Sequence, residues 1–184
     1  MSRKVAVLVG SLRRESFNRK LANALPELGP PELTFEQIEI GGLSFYNQDD
    51  EEKPPAPWIA FREAIRSSDA VLFVTPEYNR SVPAVLKNAI DVGSRPYGKS
   101  AWDGKPAGII SVSPGQYGAF GANHHLRQSL VFLNMPALQQ PEAYINQASK
   151  IFDESGKLTA DPVRQLLTTY LKTFAAWIEK TGAR

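Results

Sequence analysis

Small polar residues and an arginine follow the first apolar run of the chain, in an arrangement suited to binding a phosphate group. Residues 5–9 end at Gly10, and the sequence continues Ser-Leu-Arg-Arg-Glu-Ser-Phe-Asn to position 18. A helix is predicted to begin here, and the free N–H groups of a first helical turn attract anions. With Ser11, Arg13, Ser16 and Asn18 as donors, the segment predicts a site for a phosphate monoester. The alternative interpretation is a polar turn followed by an ordinary helix cap.

This segment matches neither of the two common phosphate-loop motifs. It lacks the G-x-x-x-x-G-K-[ST] pattern of a Walker A loop and the G-x-G-x-x-G pattern of a dinucleotide fingerprint. A nucleoside triphosphate or a Rossmann-type dinucleotide site is therefore not indicated.

Two more loops with special backbone chemistry follow apolar runs. Residues 75–83 read Thr-Pro-Glu-Tyr-Asn-Arg-Ser-Val-Pro, and their prolines fix the shape of the loop. A rigid loop of this kind can present N–H and C=O groups to a planar heterocycle, with Tyr78 beside it. Residues 113–115 read Ser-Pro-Gly, where glycine permits close approach of a ligand. Each loop alone is consistent with ordinary turn chemistry. The hypothesis of a ligand site depends on the predicted convergence of the loops at one place.

Apolar runs alternate with helical patterns along the chain, in the order βαβαβαβαβα. This order favours a doubly wound α/β fold in one domain, residues 1–184, with a five-stranded parallel sheet in strand order 2-1-3-4-5. Ligands of such sheets bind at the carboxyl ends of the strands, at the switch point between strands 1 and 3. The last helix is predicted to be capped by Asp161, and its aromatic stripe is expected in the core. The predicted strands are residues 5–9, 33–40, 70–74, 107–113 and 137–140.

Composition excludes several classes of function. The net charge is +2, from 21 basic and 19 acidic side chains, and no Lys/Arg block suggests nucleic acid as a partner. Cysteine is absent, which excludes disulfides and zinc thiolate sites, and the adjacent His124 and His125 cannot share a helix face as metal ligands. No apolar run approaches the roughly 20 residues that span a bilayer, and none resembles a signal peptide. We expect a cytoplasmic protein with no membrane partner.

The motifs G-S-L-R-x-x-S-F-N at residues 10–18 and P-E-Y-N-x-S-V-P at residues 76–83 resemble the NAD(P)H-dependent FMN reductase family. The likeness is greatest to bacterial chromate, quinone and ferric reductases, and it extends from Val5 to about Ile178. The resemblance implies a flavodoxin-like fold, non-covalently bound FMN, and NADH or NADPH as the reductant. It also implies small-molecule acceptors (quinones, chromate, ferric chelates or azo compounds) and hydride transfer in a ping-pong cycle.

The resemblance also assigns residues to the cofactor. No side chain receives a catalytic role, because the flavin carries the chemistry. Arg95 is a candidate for binding an anionic substrate, and equally a charge that interacts with a helix C-terminus. Lys99 and Trp102 are expected in a loosely packed surface loop, and the alternative for them is a loop at the rim of the cleft. The implied FMN-binding residues are Ser11, Leu12, Arg13, Ser16, Phe17 and Asn18 for the phosphate, Pro76, Glu77, Tyr78 and Asn79 for the isoalloxazine, and Val112, Ser113 and Gly115 for the ribityl chain and the other side of the ring.

Two departures from the family bear on assembly. Gly121 stands where tetrameric members carry arginine and His124 where they carry tyrosine, although Glu142 matches. We therefore expect a homodimer, with a tetramer as the open alternative, formed through apolar residues outside the inward helix stripes (Val85, Val92, Val131 and Phe132). Two other functions stay open: a flavodoxin-type electron carrier, which is usually strongly acidic, and a sugar-phosphate or nucleotide sensor without redox activity.

Overall fold

The structure, a computed structural model, describes residues 2–182 and contains one five-stranded parallel sheet. The strand order is β2-β1-β3-β4-β5, which confirms the predicted flavodoxin-like order 2-1-3-4-5. Short 3-10 helices occupy residues 48–50 and 148–150. The strands are β1 (Arg3–Val9), β2 (Leu33–Gln37), β3 (Ala70–Thr75), β4 (Ala107–Val112) and β5 (Ala143–Ile145), and the helices are α1 (Phe17–Leu28), α2 (Ala56–Arg66), α3 (Ala84–Gly93), α4 (Phe120–Phe132) and α5 (Asp161–Thr181).

The sheet has an apolar core on each face. Successive strand residues point to opposite faces, so Val5 and Val7 belong to the core that α1 and α5 cover, while Ala6 and Leu8 belong to the core that α2, α3 and α4 cover. Strands covered on both faces need continuous apolar runs, and every residue of β3 and β4 is buried. The edge strand β2 instead alternates, with Leu33 buried.

The predicted fifth strand was wrong in position. β5 is Ala143–Ile145, whereas Ala137 forms only an isolated bridge with Ala107. Residues 136–138 touch the beginning of β4, but the paired register starts later, at Ile110 opposite Ala143. Pro141 lies between the two segments and has no N–H to donate to a ladder.

Two further expectations need correction at helix and strand ends. Asp161 is the first residue of α5 and Ala160 is its N-cap, so the capping role predicted for Asp161 was wrong by one residue. The carboxylate of Asp161 still lies in the first turn, where the helix dipole favours an anion. The strand predicted at 33–40 ends at Gln37. The aromatic stripe of α5 lies in the core, as predicted, with Tyr170 and Phe174 fully buried.

Trp102 is a core side chain, so its predicted place in a surface loop was wrong. It is 0% exposed, and its Nε1 donates a hydrogen bond of 2.9 Å to the Ile90 carbonyl. The ring fits because position 93 is glycine, where a Cβ atom would lie 2.5 Å from it. Val92 is buried as well and does not contribute to an exposed face.

No helix within residues 2–182 combines the length and apolar character needed to cross a membrane.

Candidate functional site

A cavity of about 220 Å³ opens where β1, β3 and β4 end. Three loops meet there, one after each of these strands, as the sequence led us to expect. Of the residues assigned to the cofactor, only Leu12, Asn79 and Gly115 do not line it, and Pro114 was not assigned. The lining residues are Ser11, Arg13, Ser16, Phe17, Asn18, Pro76, Glu77, Tyr78, Val112, Ser113 and Pro114.

One end of the cavity is a cluster of hydrogen-bond donors. Ser16 is the N-cap of α1, and its Oγ accepts a hydrogen bond of 3.3 Å from the Arg19 N–H. The N–H groups of Phe17 and Asn18 have no acceptor among residues 2–182. The Arg13 side chain forms no ion pair within the same residues. Free N–H groups at a helix N-terminus with an uncommitted guanidinium favour a phosphate group.

The side chain of Asn18 joins the donor cluster to β4. It is buried, and its Nδ2 donates a hydrogen bond of 3.3 Å to the Val112 carbonyl. That bond fixes the orientation of the amide and leaves Oδ1 buried without a donor among the described residues. A buried acceptor without a donor is costly, so a ligand that brings a hydroxyl group is favoured next to it.

The loop after β3 is rigid and closes with a tight turn. Tyr78 and Ser81 exchange two backbone hydrogen bonds, of 3.1 and 2.9 Å. The two residues between them, Asn79 and Arg80, have positive φ values of 49° and 66°. The side chain of Tyr78 is half-exposed beside the cavity. The loop therefore offers a fixed backbone and an aromatic ring to the cavity that Val112 and Ser113 also line.

Glu77 connects this loop to α4. Its Oε2 accepts a hydrogen bond of 3.2 Å from the Ala122 N–H in the first turn of the helix, and its Oε1 lies 3.3 Å from Nη1 of Arg80. A carboxylate at a helix N-terminus is stabilised by the helix dipole. Sequence reasoning assigned Glu77 to the flavin ring and did not find this second role, because nothing along the chain places residue 77 near residue 122.

The loop after β4 completes the cavity. The Ser113 N–H donates to the Ile145 carbonyl at 2.9 Å, and the Gly115 N–H donates to Ser113 Oγ at 3.1 Å. A Cβ at position 115 would make only an ordinary contact, 3.5 Å from Ser113 Oγ. Packing within the chain therefore does not require glycine at this position. Leu12 packs instead against Gly41.

Arg95 lies in a different part of the molecule. It lines a larger cavity, of about 750 Å³, between the C-terminal halves of α3 and α4. Its guanidinium is 5.7 Å from the ring centre of Tyr46, and its Nη1 is 3.9 Å from Oε1 of Glu51. A hydrogen bond to Glu51 raises the pKa of Tyr46 above its ordinary value. The structure thus does not bring Arg95 to the first cavity within one chain.

Both histidines form local hydrogen bonds. His125 Nδ1 lies 3.0 Å from Ser81 Oγ, which joins α4 to the tight turn, and His124 Nε2 lies 2.9 Å from the Tyr144 hydroxyl. Burial, followed by a hydrogen bond with Glu142, raises the pKa of Tyr144 well above its ordinary value. Within residues 2–182, no group of three His, Asp or Glu side chains is placed to hold a metal ion.

The geometry suits an extended ligand with an anion at one end and a flat group at the other. The donor cluster at the first turn of α1 and the rigid loop with Tyr78 both line this one cavity. Within the described residues, the cavity contains neither a thiol nor a histidine that could serve as a nucleophile or base.

Comparison with known proteins agrees with this geometry. Residues 3–150 match the family described as NADPH-dependent FMN reductase. A quinone reductase from Pseudomonas putida is 62% identical over 180 residues, covering 97% of this chain and 96% of the relative. A 2-hydroxy-1,4-benzoquinone reductase from Burkholderia sp is 45% identical over 178 residues, covering 97% of each chain. The solved structure of FerB, a flavoenzyme NAD(P)H:(acceptor) oxidoreductase from Paracoccus denitrificans, has a TM-score of 0.92 at 41% identity and covers 98% of this chain and 100% of its own.

Proposed function

Because the chain belongs to the NADPH-dependent FMN reductase family and is an NAD(P)H-dependent oxidoreductase with FMN as its cofactor, we propose that the cavity at the ends of β1, β3 and β4 holds that FMN. The observation that carries the proposal is the donor cluster: the first turn of α1, Ser11, Ser16 and Arg13, which has no ion pair within residues 2–182, all line the cavity. Its chemistry is that of a phosphate monoester site.

The residues present fit the remainder of the cofactor as well. The buried Oδ1 of Asn18 lacks a donor, and the ribityl chain of FMN carries hydroxyl groups. A volume of about 220 Å³ is smaller than the roughly 300 Å³ of pockets that enclose a drug-sized ligand. We therefore expect the cavity to enclose only part of FMN, which leaves its reactive ring accessible to substrates.

The chain contributes binding and orientation, while bound FMN supplies the acceptance and donation of hydride. Arg13 and Ser16 hold the phosphate and so fix one end of the cofactor. The rigid loop after β3 holds the other end through backbone groups, and Tyr78 limits access of water from one side. No side chain of the cavity needs to exchange a proton with the substrate for these roles.

The reaction is reduction of a quinone by NAD(P)H, as the relatives indicate. Chromate, ferric chelates and azo compounds are further proposed acceptors, which the resemblance of the motifs supports. A ping-pong cycle is proposed because only one set of strand-end loops converges on the cavity, so reductant and acceptor would reach the exposed part of the flavin through one cleft in turn. The electron-carrier alternative is not favoured, since the similar proteins named above are reductases. The cytoplasmic location stays a prediction.

A homodimer is also proposed, on the basis of exposed apolar side chains. Val131 and Phe132 at the end of α4 are 80% and 87% exposed, and Phe132 borders the larger cavity together with Arg95. A two-fold axis would bury this face against the same face of a second copy of the chain. Two-fold symmetry is the commonest symmetry of homo-oligomers. Val85 is partly buried, so it adds less to this surface than the sequence suggested.

Steady-state kinetics of the FMN-loaded protein tests the proposed function. Initial rates are measured with NADH and with NADPH at several concentrations of 1,4-benzoquinone. We expect parallel double-reciprocal lines, together with inhibition by high quinone that competes with NAD(P)H. Intersecting lines would contradict a shared cleft over the flavin, and absence of quinone-dependent NAD(P)H oxidation with either nucleotide would contradict the function itself.

A further inference from the structure

Arg80 occupies a backbone position that its side chain does not favour. It is the third residue of the tight turn Tyr78–Ser81, with a φ of 66°, directly after Asn79 with a φ of 49°. Turns with two consecutive positive φ values favour Asn followed by Gly, and an arginine there costs free energy that glycine would not. Backbone strain of this kind clusters at functional sites, so it points to a functional role for the Arg80 side chain.

The Arg80 side chain contributes to a third cavity, which we call the rim cavity. It has a volume of about 290 Å³ and is lined by Arg80, Tyr117, Phe120 and Gly121. The guanidinium carbon lies 5.5 Å from the ring centre of Tyr117, and the side chain is 74% exposed. One loop contributes to the rim cavity and to the proposed FMN cavity, because Glu77 and Tyr78 line the latter and Arg80 lines the former.

The rim cavity depends on a close approach of the loop and α4. A Cβ atom at position 121 would lie 2.9 Å from the Arg80 carbonyl oxygen and 2.9 Å from Oε2 of Glu77. Only glycine therefore allows the first turn of α4 to pack so closely against residues 77–80. Two exposed aromatic rings and one guanidinium are thereby held around an open space.

The carboxylate of Glu77 does not fully satisfy Arg80. One of its oxygens is engaged by the Ala122 N–H, and the bond from Arg80 to the other is 3.3 Å long. Among residues 2–182, this is the one ion pair of Arg80. The guanidinium thus keeps donors that face solvent and can bind an additional anionic group.

We propose that Arg80 and Tyr117 bind the anionic form of a hydroxyquinone, with the ring on the aromatic wall of the rim cavity and the ionised oxygen at the guanidinium. The inference rests on the proposed quinone reductase function and assigns it a preferred acceptor class. The hydroxyl of a 2-hydroxyquinone is a vinylogous carboxylic acid, so it is ionised at neutral pH. A planar anion is what a guanidinium beside an aromatic ring recognises.

Two quinones of nearly equal size test the assignment. The FMN-loaded protein is assayed with 2-hydroxy-1,4-benzoquinone, which is anionic, and with neutral 1,4-benzoquinone. Arg80→Gly removes the guanidinium and suits the positive φ, so the turn is retained. Arg80→Lys keeps the charge, and Lys172→Gln removes one charge from the exposed face of α5 as the matched control.

We expect Arg80→Gly to raise KM for the hydroxyquinone about three- to tenfold, as suits a largely exposed charge next to an aromatic ring. KM for 1,4-benzoquinone should change less than about twofold, since the lost interaction is with the anion. Arg80→Lys should restore part of the loss, and Lys172→Gln should behave as the wild type. Calorimetric titration of the oxidised protein with hydroxyquinone, without reductant, should show the same order of affinities.

Equal changes for both quinones, or no change for either, would overturn the assignment. Failure of the wild type to reduce any quinone would instead reject the proposed function. In that case the titration still decides the inference, because it measures binding without turnover. Wild-type binding of hydroxyquinone that Arg80→Gly does not weaken would reject it.

Discussion

Replacing Arg13 with alanine tests how the chain holds the phosphate of FMN. Arg13 lines the cavity and has no ion-pair partner among the described residues, so its charge is available to a ligand. A hydrogen bond to a charged group contributes roughly 1.5–3 kcal/mol. At about 1.4 kcal/mol for each factor of ten, Arg13→Ala should raise the dissociation constant of FMN about ten- to a hundredfold.

The assay is titration of apoprotein with FMN, followed by quenching of flavin fluorescence. Arg14→Ala is the matched control, because Arg14 is the next residue, is exposed, and does not line the cavity. Since Arg13 forms no ion pair in the described part of the chain, the thermal midpoint of the Arg13→Ala apoprotein should equal that of the wild type. A high-salt titration should reduce the difference between Arg13→Ala and the wild type.

The reasoning would be refuted by equal FMN affinities of Arg13→Ala and the wild type at low salt. Equal losses in Arg13→Ala and Arg14→Ala would also refute it, since they would indicate a general effect of net charge. Either result would leave the N–H groups of the first turn of α1 and the hydroxyl groups of Ser11 and Ser16 as the donors to the phosphate.

Three further variants test the packing around the site and the assembly. Trp102→Ala should destabilise the protein by about 3–5 kcal/mol in urea unfolding, because a fully buried ring is lost. Gly121→Ala should cost about 1–3 kcal/mol and weaken FMN retention on dialysis, since its methyl group would lie 2.9 Å from the loop at residues 77–80. Val131→Asp with Phe132→Asp should convert a dimer to a monomer in sedimentation equilibrium, and a wild-type monomer at micromolar concentration would contradict the proposed interface.

The strand order and the meeting of three loops could be predicted from the sequence because both follow from local patterns. The apolar runs at residues 5–9 and 70–74 are continuous because helices cover both faces of those strands. Because β1, β3 and β4 pair in parallel, their carboxyl ends must lie at one edge of the sheet. The glycine, proline and small polar residues at those strand ends then identify the loops that form the candidate site.

The position of Arg95 follows from the length of α3, which the family motifs do not show. It comes after the C-terminus of α3, a helix of 10 residues that begins near the cavity. At 1.5 Å per residue such a helix is about 15 Å long, so a residue beyond its end is carried away from the carboxyl ends of the strands. Direct contact of Arg95 with the first cavity of its own chain was therefore already disfavoured by the length of α3.

Trp102 and β5 could not be predicted because each depends on contacts between distant parts of the chain. The ring of Trp102 is buried in space that Gly93 leaves open, and a local pattern around residue 102 does not show that space. Similarly, Ala137 forms an isolated bridge with β4, but the strand that pairs with β4 begins only at Ala143, opposite Ile110.

Helix α4 links the proposed interface to the proposed cofactor site. At its start, Ala122 bonds Glu77 and His125 bonds Ser81, so the helix holds the loop after β3 in place. At its end, Val131 and Phe132 are exposed. Because packed helices shift as rigid units, loss of the interface should loosen both contacts, and FMN affinity should fall together with dimerisation. A charged variant at residues 131 and 132 that is monomeric yet binds FMN as tightly as the wild type would show that the two contacts hold the loop without the interface.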